Sequence, residues 1–363
     1  MVLMLIMNSL IYSIYSKIRR IIMRTKIIIM LNFILVIAGL YSGHAYPNVV
    51  YKNQYINVGA PECAHCLAMA LLGPKIGGMN VKFTPFNTLS TLVTSLLTNR
   101  MQIAQVDYPS LVSLISRKVP IVAISGEVNG GTDFVLENSI KVKPNDWVSL
   151  SDKIKKVASD NRKFIIATQY GTVQNVDIRL ALIKHGINVN KCVEFVNIPF
   201  QGMSGALISH RVNAAVPVQP IASEITLRNL ARHFSYLANQ PAGNLTNVVI
   251  LTRKFYNENP LLDKEIATSM VKLVKYIKTP PGRNAWKMVI MKYTRFDNDV
   301  VNNALLTLIP DYRMPLTKIS EISNSMYENG LINDNPSRSV LLNHIKYHYL
   351  SEATGLTPTQ LGK

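Results

Sequence analysis

Phe164-Ile165-Ile166-Ala167-Thr168-Gln169-Tyr170-Gly171-Thr172-Val173-Gln174-Asn175 is the stretch from which the fold can be read. Five apolar, partly β-branched residues have the length of a buried strand. The polar loop 169–175 follows. Val176, Ile178, Leu180, Leu182 and Ile183 then alternate with Asp177, Arg179 and Lys184 as an amphipathic helix that stops at Gly186. Residues 193–199 read as a second strand, 203–210 as a short helix, and 214–218 as a third strand. This order predicts a doubly wound α/β unit over a mostly parallel sheet. In such sheets ligands sit at the carboxyl ends of the strands. The loop 169–175 is such an end, and it leads into a helix N-terminus whose free N–H groups suit an anionic or polar group.

Working outward, the same alternation recurs nearer the N-terminus. Strands are expected at 55–59, 79–85, 103–106 and 121–125, and helices at 67–72, 89–98 and 111–116. Two α/β units imply two lobes with a cleft between them. The expected crossings are Phe134-Val135-Leu136 and Val248-Val249-Ile250-Leu251-Thr252. The expected bounds are 46–132 with 254–335 for the first lobe and 133–253 for the second. From Pro260 onward the pattern is helical, at 264–277, 282–291, 300–308 and 318–328. The tail 336–363 has a helix-like core at 341–350.

Residues 1–45 read as a leader. Arg24 and Lys26 precede an apolar run at 27–40, and Gly43-His44-Ala45 supplies small residues for cleavage after Ala45. The alternative is an uncleaved anchor, which would leave the protein membrane-associated, although the run is short for spanning. Either way the expected location is periplasmic or secreted. The 363 residues carry 39 basic and 21 acidic side chains, a formal charge of +18. Lys17, Arg19, Arg20, Arg24 and Lys26 belong to the leader, so 34 basic residues face 21 acidic ones in the remainder. That balance suits an anionic ligand or a membrane surface. The basic residues are scattered rather than striped, and no nucleic-acid motif is present. No Walker loop, nucleotide fingerprint or Ser-His-Asp order is present either. Three cysteines do not make a disulfide framework.

Candidate ligand residues fall in the strand-end loops. Cys63-Ala64-His65-Cys66 admits three readings: a disulfide or inert contact, a ligand contact at Cys63 and His65, or a soft-metal site of Cys63, His65 and Cys66. Asn87 and Thr88 are polar groups in the second loop. Asp107 could pair with an amine and Tyr108 stack on a ring, or the two could be a helix cap and a packing residue. Gly171, Thr172, Gln174 and Asn175 offer close backbone approach and polar groups.

The order and spacing of these pieces resemble the solute-binding proteins of ABC importers, of the nitrate, sulfonate, taurine and thiamine-pyrimidine type. The resemblance rests on residues 86–104, with Phe86-Asn87-Thr88-Leu89 opening and Gln102-Ile103-Ala104 closing. It continues in Gly171-Thr172 with Arg179-Leu180-Ala181-Leu182 and Gly186-Ile187. Met203, Gly205-Ala206-Leu207-Ile208 and Arg211-Val212-Asn213-Ala214-Ala215 follow, then Asn259-Pro260, Tyr293-Thr294, Pro310 and Tyr312. It spans roughly residues 50–330. It implies a two-lobed, periplasmic-binding-protein-like (type II) α/β fold. It further implies a monomeric receptor that needs no cofactor and delivers a small organic or anionic ligand, of the sulfonate, nitrate or pyrimidine type, to a membrane permease. Two departures stand out. Gln219-Pro220 replaces the family's frequent Glu-Pro, which makes Gln219 a ligand candidate, and Cys63-Ala64-His65-Cys66 replaces small polar residues. The rival reading from another class is a pyrimidine-precursor synthase of the same fold using Cys63, His65 and Cys66. A metal- or redox-binding periplasmic protein is a third.

Overall fold

In the computed structural model, which describes residues 55–237 and 245–363, the apolar alternation becomes thirteen strands. In chain order the first seven are β1 (Tyr55–Pro61), β2 (Lys75–Ile76), β3 (Met79–Phe86), β4 (Ile103–Asp107), β5 (Ile121–Gly126), β6 (Val128–Gly130) and β7 (Asp133–Leu136). Then come β8 (Phe164–Thr168), β9 (Val193–Asn197), β10 (Ala214–Ala215), β11 (Arg232–Tyr236), β12 (Asn247–Thr252) and β13 (Leu308–Pro310). They form a six-stranded sheet in the order β2-β3-β1-β4-β12-β5, a five-stranded sheet in the order β11-β7-β10-β8-β9, and the ribbon β13-β6. This is the two-lobed α/β architecture expected from sequence. The expected leader lies outside the described residues.

Each sheet is apolar on both faces, because helices cover both. β12 shows the reason most plainly: Val249 and Leu251 enter one core cluster, while Val248 and Ile250 enter another. In the second sheet Phe164 and Ile166 of β8 face one cluster, and Ala167 faces the other. The covering helices are α1 (Leu89–Leu97), α2 (Tyr108–Ser116), α3 (Trp147–Ser159), α4 (Val173–Lys184), α5 (Val189–Cys192), α6 (Phe200–Ile208) and α7 (Ile221–Leu227). The C-terminal part adds α8 (Arg253–Glu258), α9 (Pro260–Tyr276), α10 (Pro280–Thr294), α11 (Asn298–Leu305), α12 (Leu316–Glu328), α13 (Arg338–His344) and α14 (His348–Thr354). None of the described helices is long and apolar enough to cross a membrane.

Four details differ from the sequence expectation. The sheets are mixed: β1 pairs parallel with β3 and β4, but β12 runs antiparallel to both β4 and β5, and β7 antiparallel to β10 and β11. Strands that follow a crossing between sheets enter from the opposite end. Phe134-Val135-Leu136 is accordingly part of β7 inside the second sheet, and the crossing itself is residues 127–132. Val248-Val249-Ile250-Leu251-Thr252 lies in the first sheet, so the second lobe's expected reach to 253 runs past its last strand, β11. Finally, the expected helix 300–308 ends at Leu305, because Leu308–Pro310 pairs with β6.

The tail is part of the first lobe's core. Ile345 bridges Ala123 of β5, and Lys346 N–H donates to the Ala123 carbonyl at 2.8 Å. That bridge is why the expected helix 341–350 is two helices, α13 and α14. Leu341, Leu350 and Leu361 are buried in the same cluster as β12.

Candidate ligand-binding site

The carboxyl ends of β1, β4 and β8 bring their loops together around a half-open cavity of about 50 Å³. The β1 loop contributes Pro61, Glu62, Cys63, His65 and Cys66, and the next loop Asn87 and Leu89. β4 contributes Gln105 and Asp107; the β8 loop and α4 contribute Gln169, Thr172, Val173 and Gln174. Phe200, Gln201, Val218, Thr246 and Asn247 complete the wall. Residues of both sheets therefore face one space. At roughly 10–15 Å³ per water, the space takes a few water-sized groups.

His65 is the least satisfied group there. It is buried, its Nδ1 has no partner among the described residues, and burial lowers its pKa to about 4. The imidazole is thus neutral at physiological pH. Gly131, at φ +79°, must be glycine: a Cβ there would stand 2.7 Å from Leu308 Cδ2 and 3.1 Å from His65 Nδ1. Gln105, central on β4, is also buried, and its Oε1 accepts nothing among the described residues. Both groups face the cavity with free hydrogen-bonding capacity.

Asp107 joins the two sheets. It ends β4 and caps α2, its Oδ1 accepting the Ser110 N–H at 2.9 Å. Its Oδ2 accepts the N–H of Val173, the first residue of α4, at 3.0 Å. Burial raises its pKa, while the bonds from Ser110 and Val173 oppose the rise. The anion-binding end of α4 is thus occupied by a carboxylate of the other lobe. Asp177, one turn further along α4, is buried, and its pKa is pushed well up by desolvation and by Asp107.

Cys63 and Cys66 are joined as a disulfide, with Cα atoms 5.1 Å apart. The expected metal site of Cys63, His65 and Cys66 does cluster within 4.8 Å. In the disulfide, however, neither sulfur is a thiolate, so His65 alone retains ligand character. Ala64 holds the loop in place: its N–H donates to the Gln219 carbonyl at 2.9 Å, and its carbonyl accepts Trp286 Nε1 at 2.8 Å.

The remaining sequence candidates separate by position. Asn87, Thr172 and Gln174 line the cavity. Thr172 Oγ1 donates to Gln169 O at 2.7 Å, and Gln174 Nε2 to Thr132 Oγ1 at 3.0 Å. Thr88 does not line it; the residue caps α1, its Oγ1 accepting Thr91 N–H. Tyr108 is not a stacking platform, because its ring is wholly buried in the core of α2 and its OH reaches Arg313 O at 3.4 Å. Gly171 serves its φ of +79° rather than a close approach, since nothing lies within 4 Å of a Cβ there. Asn175 faces a different hollow. Gln219 is not among the lining residues; its Oε1 is held by Ser223, accepting from the Ser223 N–H and Oγ at 3.1 and 2.7 Å. Gln105, Gln169, Gln201 and Asn247 were missed. Gln105 shows itself in sequence only as an amide inside an apolar strand.

Similarity to known proteins agrees with this fold. The periplasmic nitrate-binding protein NrtA of Synechocystis PCC 6803 superposes with a TM-score of 0.74 at 11% identity, over 86% of this chain and 91% of that one. The ligand-binding component of an ABC-type import system from Staphylococcus aureus, solved with zinc bound, gives 0.68 at 12% identity, over 83% and 99%. The aliphatic sulphonate-binding protein SsuA of Escherichia coli gives 0.63 at 12% identity, over 81% and 92%. No curated protein matches the sequence. Residues 43–291 match the model of the NMT1-like family. That span is well over half of the chain, and the chain belongs to the NMT1-like family.

Proposed function

We propose that this protein is an extracytoplasmic solute-binding receptor that closes two lobes on a compact nitrogen-bearing molecule, neutral or cationic, and passes it to the permease of an ABC importer. The observation that carries the ligand class is the cavity lining. Among the described residues it holds two carboxylates, Glu62 and Asp107, many side-chain amides, a neutral imidazole, and no lysine or arginine. Acceptors such as Gln105 Oε1 ask for hydrogen-bond donors, N–H or O–H, on the ligand, and the carboxylates favour the N–H of an amine or amidine. A nitrate or sulfonate would meet two carboxylates without a counter-cation, and would have to displace Asp107 from the end of α4. The +18 charge therefore does not report the ligand's sign.

The receptor reading is supported by a site built from both sheets, because a ligand gripped by both lobes stabilises the closed arrangement. The sequence of residues 1–45, basic residues ahead of an apolar run and small residues before Tyr46, supports export. The Cys63–Cys66 disulfide leaves no thiolate at either position, which favours the receptor over a synthase that would use these cysteines. Two measurements test the proposal. N-terminal sequencing of the mature chain should begin at Tyr46. Native mass spectrometry of protein from its own host should show a small nitrogen-containing adduct that denaturation releases. A chain retained uncleaved in the cytoplasm would overturn export, and a copurifying sulfonate would overturn the ligand class.

A further inference from the structure

A second hollow lies on the other side of Leu89, bounded by α1, α2 and α12 and by the start of α4. Its volume is about 560 Å³, far larger than the inner cavity. About half of its wall is aliphatic, with Val93, Leu97, Leu114, Val176 and Leu331 among the contributors, and Ser90, Thr94, Ser110 and Ser113 add neutral hydroxyls. Its charged groups are the reverse of the inner cavity's. Arg117 and Arg179 line it and, among the described residues, no carboxylate does.

Both arginines lack an ion pair among the described residues. Arg117 Nε donates only to the Ser113 carbonyl of its own helix, at 3.3 Å. Arg179 lies over the Phe195 ring at 4.1 Å, and its buried Nε has no hydrogen-bond partner among the described residues. Asn175 adds a third donor. It is 3% exposed, and its Nδ2 also lacks a partner among the described residues. Arg117 is exposed to solvent, but the Arg179 Nε and Asn175 Nδ2 donors are buried without acceptors among the described residues, which is costly and seldom left so in native proteins. Guanidinium groups match the planar two-oxygen head of a carboxylate. An aliphatic wall beside that head gains from a hydrocarbon tail.

We propose that this hollow is a second ligand site, taking a single-headed amphipathic anion of the alkyl carboxylate type. The head pairs with Arg179, Arg117 and Asn175, and the chain lies along α1 and α2. The occupant touches α2, which follows β4 of the first sheet, and α4, which follows β8 of the second, so it favours the closed arrangement. This inference does not rest on the identity of the inner ligand. The two linings share only Leu89.

The test is calorimetric titration of the mature chain with octanoate, acetate and octylammonium, below micelle-forming concentrations. Octanoate should bind, acetate at least tenfold more weakly, and octylammonium not detectably. Arg117→Gln with Arg179→Gln should weaken octanoate at least tenfold, whereas Gln105→Ala should leave octanoate binding unchanged. The proposal is overturned if octanoate gives no heat, if octylammonium binds as well, or if the arginine variant binds like wild type. Loss of octanoate binding in Gln105→Ala would place the anion in the inner cavity and overturn it too. The three-ligand comparison on wild type needs no variant to fold.

Discussion

The carboxylate of Asp107, at the end of β4, accepts the backbone N–H of Val173, at the start of α4, at 3.0 Å. One side chain of the first sheet thereby fills the anion-binding end of a helix of the second. It acts as a built-in substitute for an anionic ligand. Its other oxygen holds α2 through Ser110.

Removing that carboxylate should loosen the closed form and free the helix end. Asp107→Ala should cost about 0.5–2 kcal/mol for each helix cap lost, measured by guanidinium unfolding. The Val173 amide should exchange faster with solvent. The same variant should gain weak affinity for chloride or nitrate at the vacated end of α4. Slow Val173 exchange in Asp107→Ala would show that the contact does not hold the lobes.

Tyr108 is expected to matter for folding and not for recognition. Its ring is buried in the first lobe's core, and its hydroxyl contact is long at 3.4 Å. Tyr108→Ala should lose about 3–5 kcal/mol of stability through the cavity it leaves. Tyr108→Phe should stay within about 1 kcal/mol of wild type. Phe substitution that weakens ligand binding without changing the melting temperature would return Tyr108 to the site.

Much of the fold was legible because strands buried on both faces are nearly continuous apolar runs. Phe164–Thr168 is such a run and has the bounds expected for it. Sheet direction was not legible, since an apolar run looks the same whichever way it enters, as β7 and β12 show. The site was partly legible. Polar residues at strand ends, such as Asp107, Thr172 and Gln174, stand out from the apolar pattern. Gln105 and Asn247 sit within strands, and only the superposition of loops from both sheets shows that they face a cavity. Gln219 and Thr88 looked equally suitable, but local capping bonds consume them.

The disulfide closes a very short loop. In the chain-entropy account a four-residue loop is worth about 2 kcal/mol, so Cys63→Ser with Cys66→Ser should lower stability by about that much. Alkylation of the native protein should label neither cysteine. Cys192, buried and unpaired, should react only on unfolding. Ready alkylation of Cys63 would restore the metal reading.

Asp263 should set part of the pH dependence. Both its oxygens are buried without partners among the described residues, and burial raises its pKa to about 8. The folded protein then holds a proton that the unfolded chain, near 3.8, has released, so this group's contribution to stability falls as pH rises from about 4 to 8. Asp263→Asn should flatten that slope and raise the melting temperature at pH 9. An unchanged pH profile would show that Asp263 ionises normally.

The lining of the inner cavity favours a ligand without negative charge. The most direct measurement is calorimetric titration of the mature protein with guanidinium at non-denaturing concentration, urea, an aminopyrimidine, nitrate and ethanesulfonate, repeated with Gln105→Ala. The account predicts binding of at least one nitrogen compound, weakened roughly two- to tenfold by Gln105→Ala for one lost hydrogen bond, and no binding of nitrate or ethanesulfonate. Binding of either anion that depends on Gln105, with silence from every nitrogen compound, would contradict it.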